Sequence, residues 1–416
     1  MTRVLRLALK NLLRYKRRTL LTGLLIAVGV VAVIVFAGLS GSFKRAIVGQ
    51  ITDSMLSHIQ VHRKGYLASI DNLPLDRMMP AKAFRKLSGI LAETPGVAGF
   101  SPRIKLGAML SNYTQTTNVR LNGVDPRKEA AAVPLLETRI QDSIHKDVLL
   151  KKGEVLLPEV LAKGMDVKTG DTVVLVANNK DGSVNGMTFI VAGLVDSLMG
   201  PGGRDGYLHI EDAAALLRME EMEVSEVAVR AADFDGLAAL AERLRAALEP
   251  MVNSQNKPVF EVHTWAQLTP FYNVVRMIDL MTLGIKVILI AVVLISVLNV
   301  MMMSVYERVR EIGTLAAMGT RPGRIMALFV AEGICLGLFS ALVGAAVGTG
   351  ALFLLKLKGV SVTFGGANQV FALSPGISPG EVVSACLIVL AVSVLASLQP
   401  AAKAARLEPV EALRHV

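Results

Sequence analysis

The residues able to do chemistry in this chain are few, and most stand in patterns that do none. No glycine is followed by Lys-Ser or Lys-Thr, so no Walker-type phosphate loop is present. His-Glu-x-x-His is missing. The six histidines are scattered, and His58 and His62 in a strand-like run would stand about 13 Å apart. That is too far for one metal. The sequence therefore predicts no catalytic residue, no metal site and no cofactor held by this chain.

Two polar features remain. The first is a charged segment between long apolar stretches, beginning at Tyr306 and ending at Ile325. Glu307, Arg308, Arg310 and Glu311 fill one and a half helical turns, while Ile312, Leu315 and Met318 recur at helical spacing. Gly319 reads as a helix stop and Pro322 as a restart in a first turn. A merely solvated loop would not need that apolar spacing. The second is a pair of intramembrane polar residues, Asn299 and Glu332, placed at similar depth by antiparallel neighbours. Ionisable groups in lipid are costly and are usually paired. Asn299 is expected to contact Glu332 directly or across a dimer.

These features need elements to hold them. The chain has 416 residues, is 52% hydrophobic and 19% charged, and has mean hydropathy +0.51. Four stretches are long and apolar enough to span a bilayer. The reading gives a basic cytoplasmic segment over 1–18 and a span over 19–41 that is retained, not cleaved. A second span, with its stalk, covers 274–305. A coupling segment follows over 306–324, a third span over 325–355, an outer loop over 356–381, a fourth span over 382–399 and a cytoplasmic tail over 400–416. Basic residues cluster before the first span, between the second and third, and after the fourth. Both termini are then cytoplasmic. The net charge of +10 fits such loops, and no basic stretch is interleaved with aromatics for nucleic acid.

Residues 42–273 form an extracytoplasmic α+β domain of two subdomains, the second at about 151–232. A strand is expected over 55–62, a helix over 80–93 and a strand pair over 97–110 and 116–123. Residues 201–206 read as the loosest stretch. Trp265, with Phe271 and Tyr272, reads as an interfacial anchor before a stalk helix. Cys335 and Cys386 are expected as buried thiols. In the third span, Gly333 and Gly337, and Gly344 and Gly348, each put two glycines on one helix face for close contact with a neighbour. The fold class is an α-helical membrane protein with four transmembrane helices in a 1+3 layout plus a large α+β domain.

The segment Glu307-Arg-x-Arg-Glu-Ile-Gly-x-Leu-x-Ala-x-Gly319 resembles the signature of FtsX-like ABC transporter permeases, the MacB, LolC/LolE and FtsX superfamily. Ala8-Leu-Lys-Asn-Leu-Leu-Arg, Glu332-Gly with its spaced glycines, Gly153-Glu-Val-Leu-Leu-Pro and the tail from Pro400 are similar to the same family. The resemblance implies a mechanotransmission permease, closest to the lipoprotein-releasing LolC/LolE type. ATP and Mg would be held by an ABC ATPase acting in trans. A second permease copy or homologue would complete a dimer, with a periplasmic acceptor or adaptor and membrane lipid as further partners, in a bacterial inner membrane. Glu307, Arg308, Arg310, Glu311, Gly313 and Gly319 would seat in the ATPase groove. Expected work is extraction of lipoprotein or another amphiphile from the outer leaflet. The alternatives are efflux of a peptide or antibiotic, and regulation of cell-wall hydrolases.

Overall fold

A computed structural model describes residues 7–408, apart from 9, 12–13, 15, 146–147, 198–203, 254, 360, 364–369, 373–375 and 377. In chain order the elements begin α1 (Lys16–Ile51), β1 (Ile59–Arg63), α2 (Ala81–Glu93), β2 (Val97–Ser111), β3 (Thr116–Val124), α3 (Pro126–Ala132), β4 (Ile140–Gln141) and β5 (Glu154–Pro158). Then come α4 (Glu159–Gly164), β6 (Thr172–Asn178), β7 (Val184–Val195), β8 (Gly206–His209), α5 (Ile210–Leu216), β9 (Glu226–Ala231), α6 (Leu237–Leu248) and β10 (Phe260–Thr264). The chain continues through α7 (Trp265–Leu268), α8 (Phe271–Glu307), α9 (Val309–Ala317), α10 (Pro322–Lys358) and α11 (Pro379–Ala405). It divides into a helical unit, 1–46 with 276–416, and an α+β unit, 47–275.

Four helices, α1, α8, α10 and α11, are long and apolar enough to cross a membrane. A helix satisfies every backbone group internally, which is what lipid demands. At about 1.5 Å per residue, α1 and α8 are each roughly 55 Å long, well beyond the ~30 Å hydrocarbon core. α10, also 37 residues, has the same excess, so length alone does not mark a stalk. The packing of these helices is set by small residues. A Cβ on Gly29 would lie 2.6 Å from Val293, and one on Gly38 would lie 2.7 Å from Leu352. Cys335 and Cys386 are free and half-buried, less enclosed than expected.

In the α+β unit the strand order is β10-β1-β9-β2-β3-β8-β5-β7-β4, and β6 joins β2 to β7. That extra pairing closes six strands, β2-β3-β8-β5-β7-β6, into a small barrel. Ile104, Leu106, Leu121, Val173, Leu175, Phe189, Val191 and Leu208 fill its interior core. A second core lies under β1, β9 and β10, where Leu87, Leu91, Leu240 and Leu244 of α2 and α6 meet Ile59, Val61, Val227 and Val229. The fifteen-residue β2 belongs to both. Its first half pairs with β9 from Val97 to Arg103, and its second half pairs with β6 from Ala108 to Ser111.

The expected second subdomain, 151–232, is therefore redrawn. The barrel takes β2 and β3 from before residue 151, whereas β9 pairs with β1 and β2 and packs in the other core. A buried ionic cluster stands where the two cores meet on β2. Arg103 reaches Glu129 at 2.7 Å and Glu226 at 3.0 Å, and Lys105 reaches Glu226 at 3.2 Å. Two cations face two carboxylates, so the buried charge balances.

Three local expectations change. The strand foreseen from 55 starts at Ile59, because Thr52–Leu56 continues α1 as a π-helical turn. Trp265 is buried in the second core against Phe234 and Tyr272, so it anchors the domain core and not a lipid interface. Residues 201–203 of the loose stretch lie outside the described residues, and Gly206 begins β8.

Candidate functional site: the coupling segment

The charged segment folds as helix, break, helix, turn and helix. α8 ends at Glu307, and Arg308 leaves helical geometry at φ −115°, ψ 20°. α9 then runs to Ala317. Its end is a Schellman motif: Gly319 N–H donates to Ala316 O, Thr320 N–H donates to Leu315 O, and Gly319 has φ +80°. Only glycine takes that angle cheaply. Pro322 opens α10 in its first turn, where a missing N–H costs nothing.

The break at Arg308 turns its side chain inward. Arg308 Nη1 donates to Glu332 Oε1 at 2.9 Å, and its Nε donates to Glu311 Oε2 at 3.0 Å. Asn11 Nδ2 donates to the same Glu332 oxygen at 2.8 Å. Arg14 Nη1 reaches Glu311 Oε1 at 3.3 Å. The residues before the first span, the joint after the second and the third span thus share one ionic knot. The Arg308 and Glu332 side chains are only 10% and 4% exposed. Arg308 also lies over the Phe329 ring, 5.8 Å from its centroid. Beneath the knot, Val305, Ile312, Ile325, Phe329, Ala401 and Ala404 form an apolar cluster that holds α9 against α10 and α11. Tyr306 receives a hydrogen bond from Lys403 of α11.

The segment therefore has two faces. Arg308, Ile312 and Gly313 are buried within the chain. Glu307, Arg310, Thr314, Ala317, Met318 and Gly319 are exposed, and Glu311 is half-buried. This corrects the expectation that all six motif residues seat in a partner's groove. Arg308 and Gly313 are spent on holding α9 in place, whereas Glu307, Arg310 and Gly319 lie at the surface.

The Asn299–Glu332 pairing is also corrected within one chain. Glu332 is taken by Arg308 and Asn11, and Asn299 is exposed. The reason is rotational. Val293, Val297, Met301 and Val305 make the buried face of α8, and Asn299 stands 200° round the helix from Val297. Matching depth by residue count says nothing of direction. Asn11 was missed, since a lone amide in a basic leader carries no periodic signal.

The two glycine pairs have different neighbours. A Cβ on Gly333 would lie 2.7 Å from Ser397 Cβ, and one on Gly337 would lie 2.5 Å from Ser393 Oγ, both on α11. A Cβ on Gly344 would lie 2.6 Å from Val30 Cβ, and one on Gly348 would lie 3.3 Å from Ile34, both on α1. Among the described residues no group of three or more His, Cys, Asp or Glu could hold a metal ion.

Comparison with known proteins follows the same division. Residues 19–247 match the family model of the MacB-like periplasmic core domain, and residues 283–409 match that of the FtsX-like permease C-terminal region. The chain is 26% identical over 407 residues to the lipoprotein-releasing system transmembrane protein LolC of Neisseria meningitidis, covering 94% of this chain and 92% of that one. It is 26% identical to the macrolide export ATP-binding/permease protein MacB 1/2 of Paracoccus denitrificans, covering 99% of this chain but 58% of that one. It is 24% identical to the ABC transporter permease YknZ of Bacillus subtilis, covering 99% and 98%. The first model alone spans more than half of the sequence and the second takes in three of the four membrane helices, so the chain belongs to the FtsX-like, MacB-type ABC transporter permeases.

Proposed function

We infer that this permease converts ATP hydrolysis by a separate ATPase into movement of its extracytoplasmic domain, and so lifts a lipoprotein or another amphiphile from the outer leaflet. One observation carries the reading. α9 is held inward by the Arg308–Glu332–Asn11 knot while Glu307, Arg310, Thr314 and Met318 face outward. A short helix fixed at one face and offered at the other is suited to receive a push. The basic residues around it belong on the cytoplasmic side, with both termini. ATP and Mg are then bound by the partner. A second permease copy or homologue completes the pair, and a periplasmic acceptor or adaptor receives the cargo.

The lipoprotein substrate is favoured by near full-length likeness to LolC, whose name carries that activity. Efflux is the second reading, favoured by the likeness to MacB. Reconstitution with the partner ATPase separates them. Lipoprotein should stimulate ATP hydrolysis and pass to a soluble acceptor. Release of a macrolide or peptide with no response to lipoprotein would overturn the first reading. Arg310→Glu should leave basal hydrolysis in place and abolish release. Normal release by that variant would move the joint elsewhere.

A further inference from the structure

A second joint stands at the other end of α1, within the α+β unit. The last turn of the helix widens to a π-helical turn, Thr52–Leu56, in which every residue but Asp53 is buried. π-turns are rare and cluster at functional sites. The chain then passes through Ser57 at φ +63°, a left-handed conformation that a non-glycine residue adopts only when its surroundings impose it. Those surroundings come from three separate places in the sequence.

Asp53 Oδ1 accepts from Arg230 Nη1 of β9 at 2.7 Å and lies 3.3 Å from His58 Nε2. His58 Nδ1 accepts the Ala231 N–H at 3.1 Å, so the ring proton sits on Nε2, facing Asp53. The Trp265 N–H donates to His58 O at 3.0 Å. The segment 132–139 closes the other side. Leu135 N–H donates to Asp53 O at 2.8 Å, Ser57 Oγ donates to Ala132 O at 3.1 Å, and Arg139 Nη1 donates to Ser54 O at 2.8 Å. Arg139 is itself buried, and its other nitrogens donate to Asp196 O beside the barrel strand β7.

The two sides lead to different cores. Arg230 and Ala231 lie on β9, in the core under α2 and α6. Arg139 and Asp196 lie at the end of β7 and β4, on the barrel. A fold needing only to end a helix would cap it once. Here one five-residue turn is bonded to both cores through the charged side chains Asp53, Arg230 and Arg139.

We propose that Asp53, His58, Arg230 and Arg139 form a clasp through which displacement of α1 is handed to both cores of the α+β domain. They are positioning residues for the coupling described above, and the clasp rests on that reading. Asp53 sets the direction of the push, and the fork of Arg139 carries it to the barrel.

The test is hydrogen exchange on the full-length permease in nanodiscs with its ATPase, with and without ATP and vanadate. In the unmodified protein, trapping the nucleotide should change exchange at 307–318, at 52–58 and at 132–139. Asp53→Asn and Arg139→Lys should keep the change at 307–318 and lose it at 132–139, with melting of the α+β domain held near that of the parent. Asp53→Glu, which restores the charge, should recover part of the response. If Asp53→Asn lowers melting strongly, Arg139→Lys carries the test alone. A nucleotide response at 132–139 that survives both substitutions overturns the clasp. No response at 307–318 in the unmodified protein overturns the coupling reading, and the clasp falls with it.

Discussion

Replacing Glu332 by glutamine should undock α9. The substitution keeps volume and an acceptor but removes the charge facing Arg308. Breaking a buried ion pair from one side costs about 3–5 kcal/mol. Arg308 keeps Glu311 at 3.0 Å, so the lower end applies. About 3 kcal/mol corresponds to a roughly 150-fold rise in the undocked fraction. Ile312, 3% exposed beneath the knot, reports that opening. With Cys335 and Cys386 replaced by serine, Ile312→Cys should react slowly with a membrane-impermeant maleimide. Adding Glu332→Gln should speed the reaction by about two orders of magnitude, because labelling follows the open population. Met318→Cys, already exposed, is the control and should not change. The double change Arg308→Met with Glu332→Leu leaves no lone charge and should label more slowly than Glu332→Gln. Unchanged labelling in Glu332→Gln would refute the reasoning. So would a double variant as open as the single one, since the ion pair would then not be what holds the helix.

Two other outcomes follow from the geometry. Gly337→Ala places a Cβ 2.5 Å from Ser393 Oγ and should cost about 1–3 kcal/mol in melting of the helical unit, whereas Gly350→Ala, with nothing within 4 Å, should be nearly silent. Burial alone would raise the Glu226 carboxyl, but Lys105, His62 and Arg103 outweigh it and hold it well below the usual carboxylate range. Such a group stabilises the fold above its unfolded value near 4.5, and that contribution is lost as pH falls through the lower folded value. The α+β domain should keep its melting temperature down to about pH 5 and lose it steeply below. Glu226→Gln should melt earlier at neutral pH and flatten that acid limb. An unchanged acid limb would sever the cluster from stability.

Local chemistry made the spans, the stop at Gly319, the restart at Pro322 and most strands legible, because each depends on residues within a turn or two. The hairpin of β2 and β3 was visible for the same reason. The place of β9 was not. It slots between β1 and β2, and nothing local to Glu226–Ala231 says so. Glu332 shows the same limit in the membrane. Its depth could be counted in residues, but its partner depended on which way α8 faces and on an asparagine 321 positions away. The coupling motif was legible as a motif. Its division into a holding face and an offered face depended on the break at Arg308, which the sequence does not mark.

The glycines of α10 carry a consequence for how the protein is made. Gly344 and Gly348 give α1 its close neighbour, yet about 280 residues separate the end of the first span from the start of α10. At roughly 5–20 residues per second, the first span waits on the order of 15–60 s in the bilayer before that neighbour exists. Throughout that interval the whole α+β domain is crossing the membrane and folding. The run 19–39 must therefore be tolerable to lipid on every side, and it contains no charged residue at all. Its finished packing uses glycine notches, aliphatic side chains and the small hydroxyl of Thr22, so no charge is stranded while it stands alone. The order of synthesis thus limits which helix can carry the ionisable groups of the knot. Glu332 sits on α10, and the chain before the first span contributes Asn11 and Arg14.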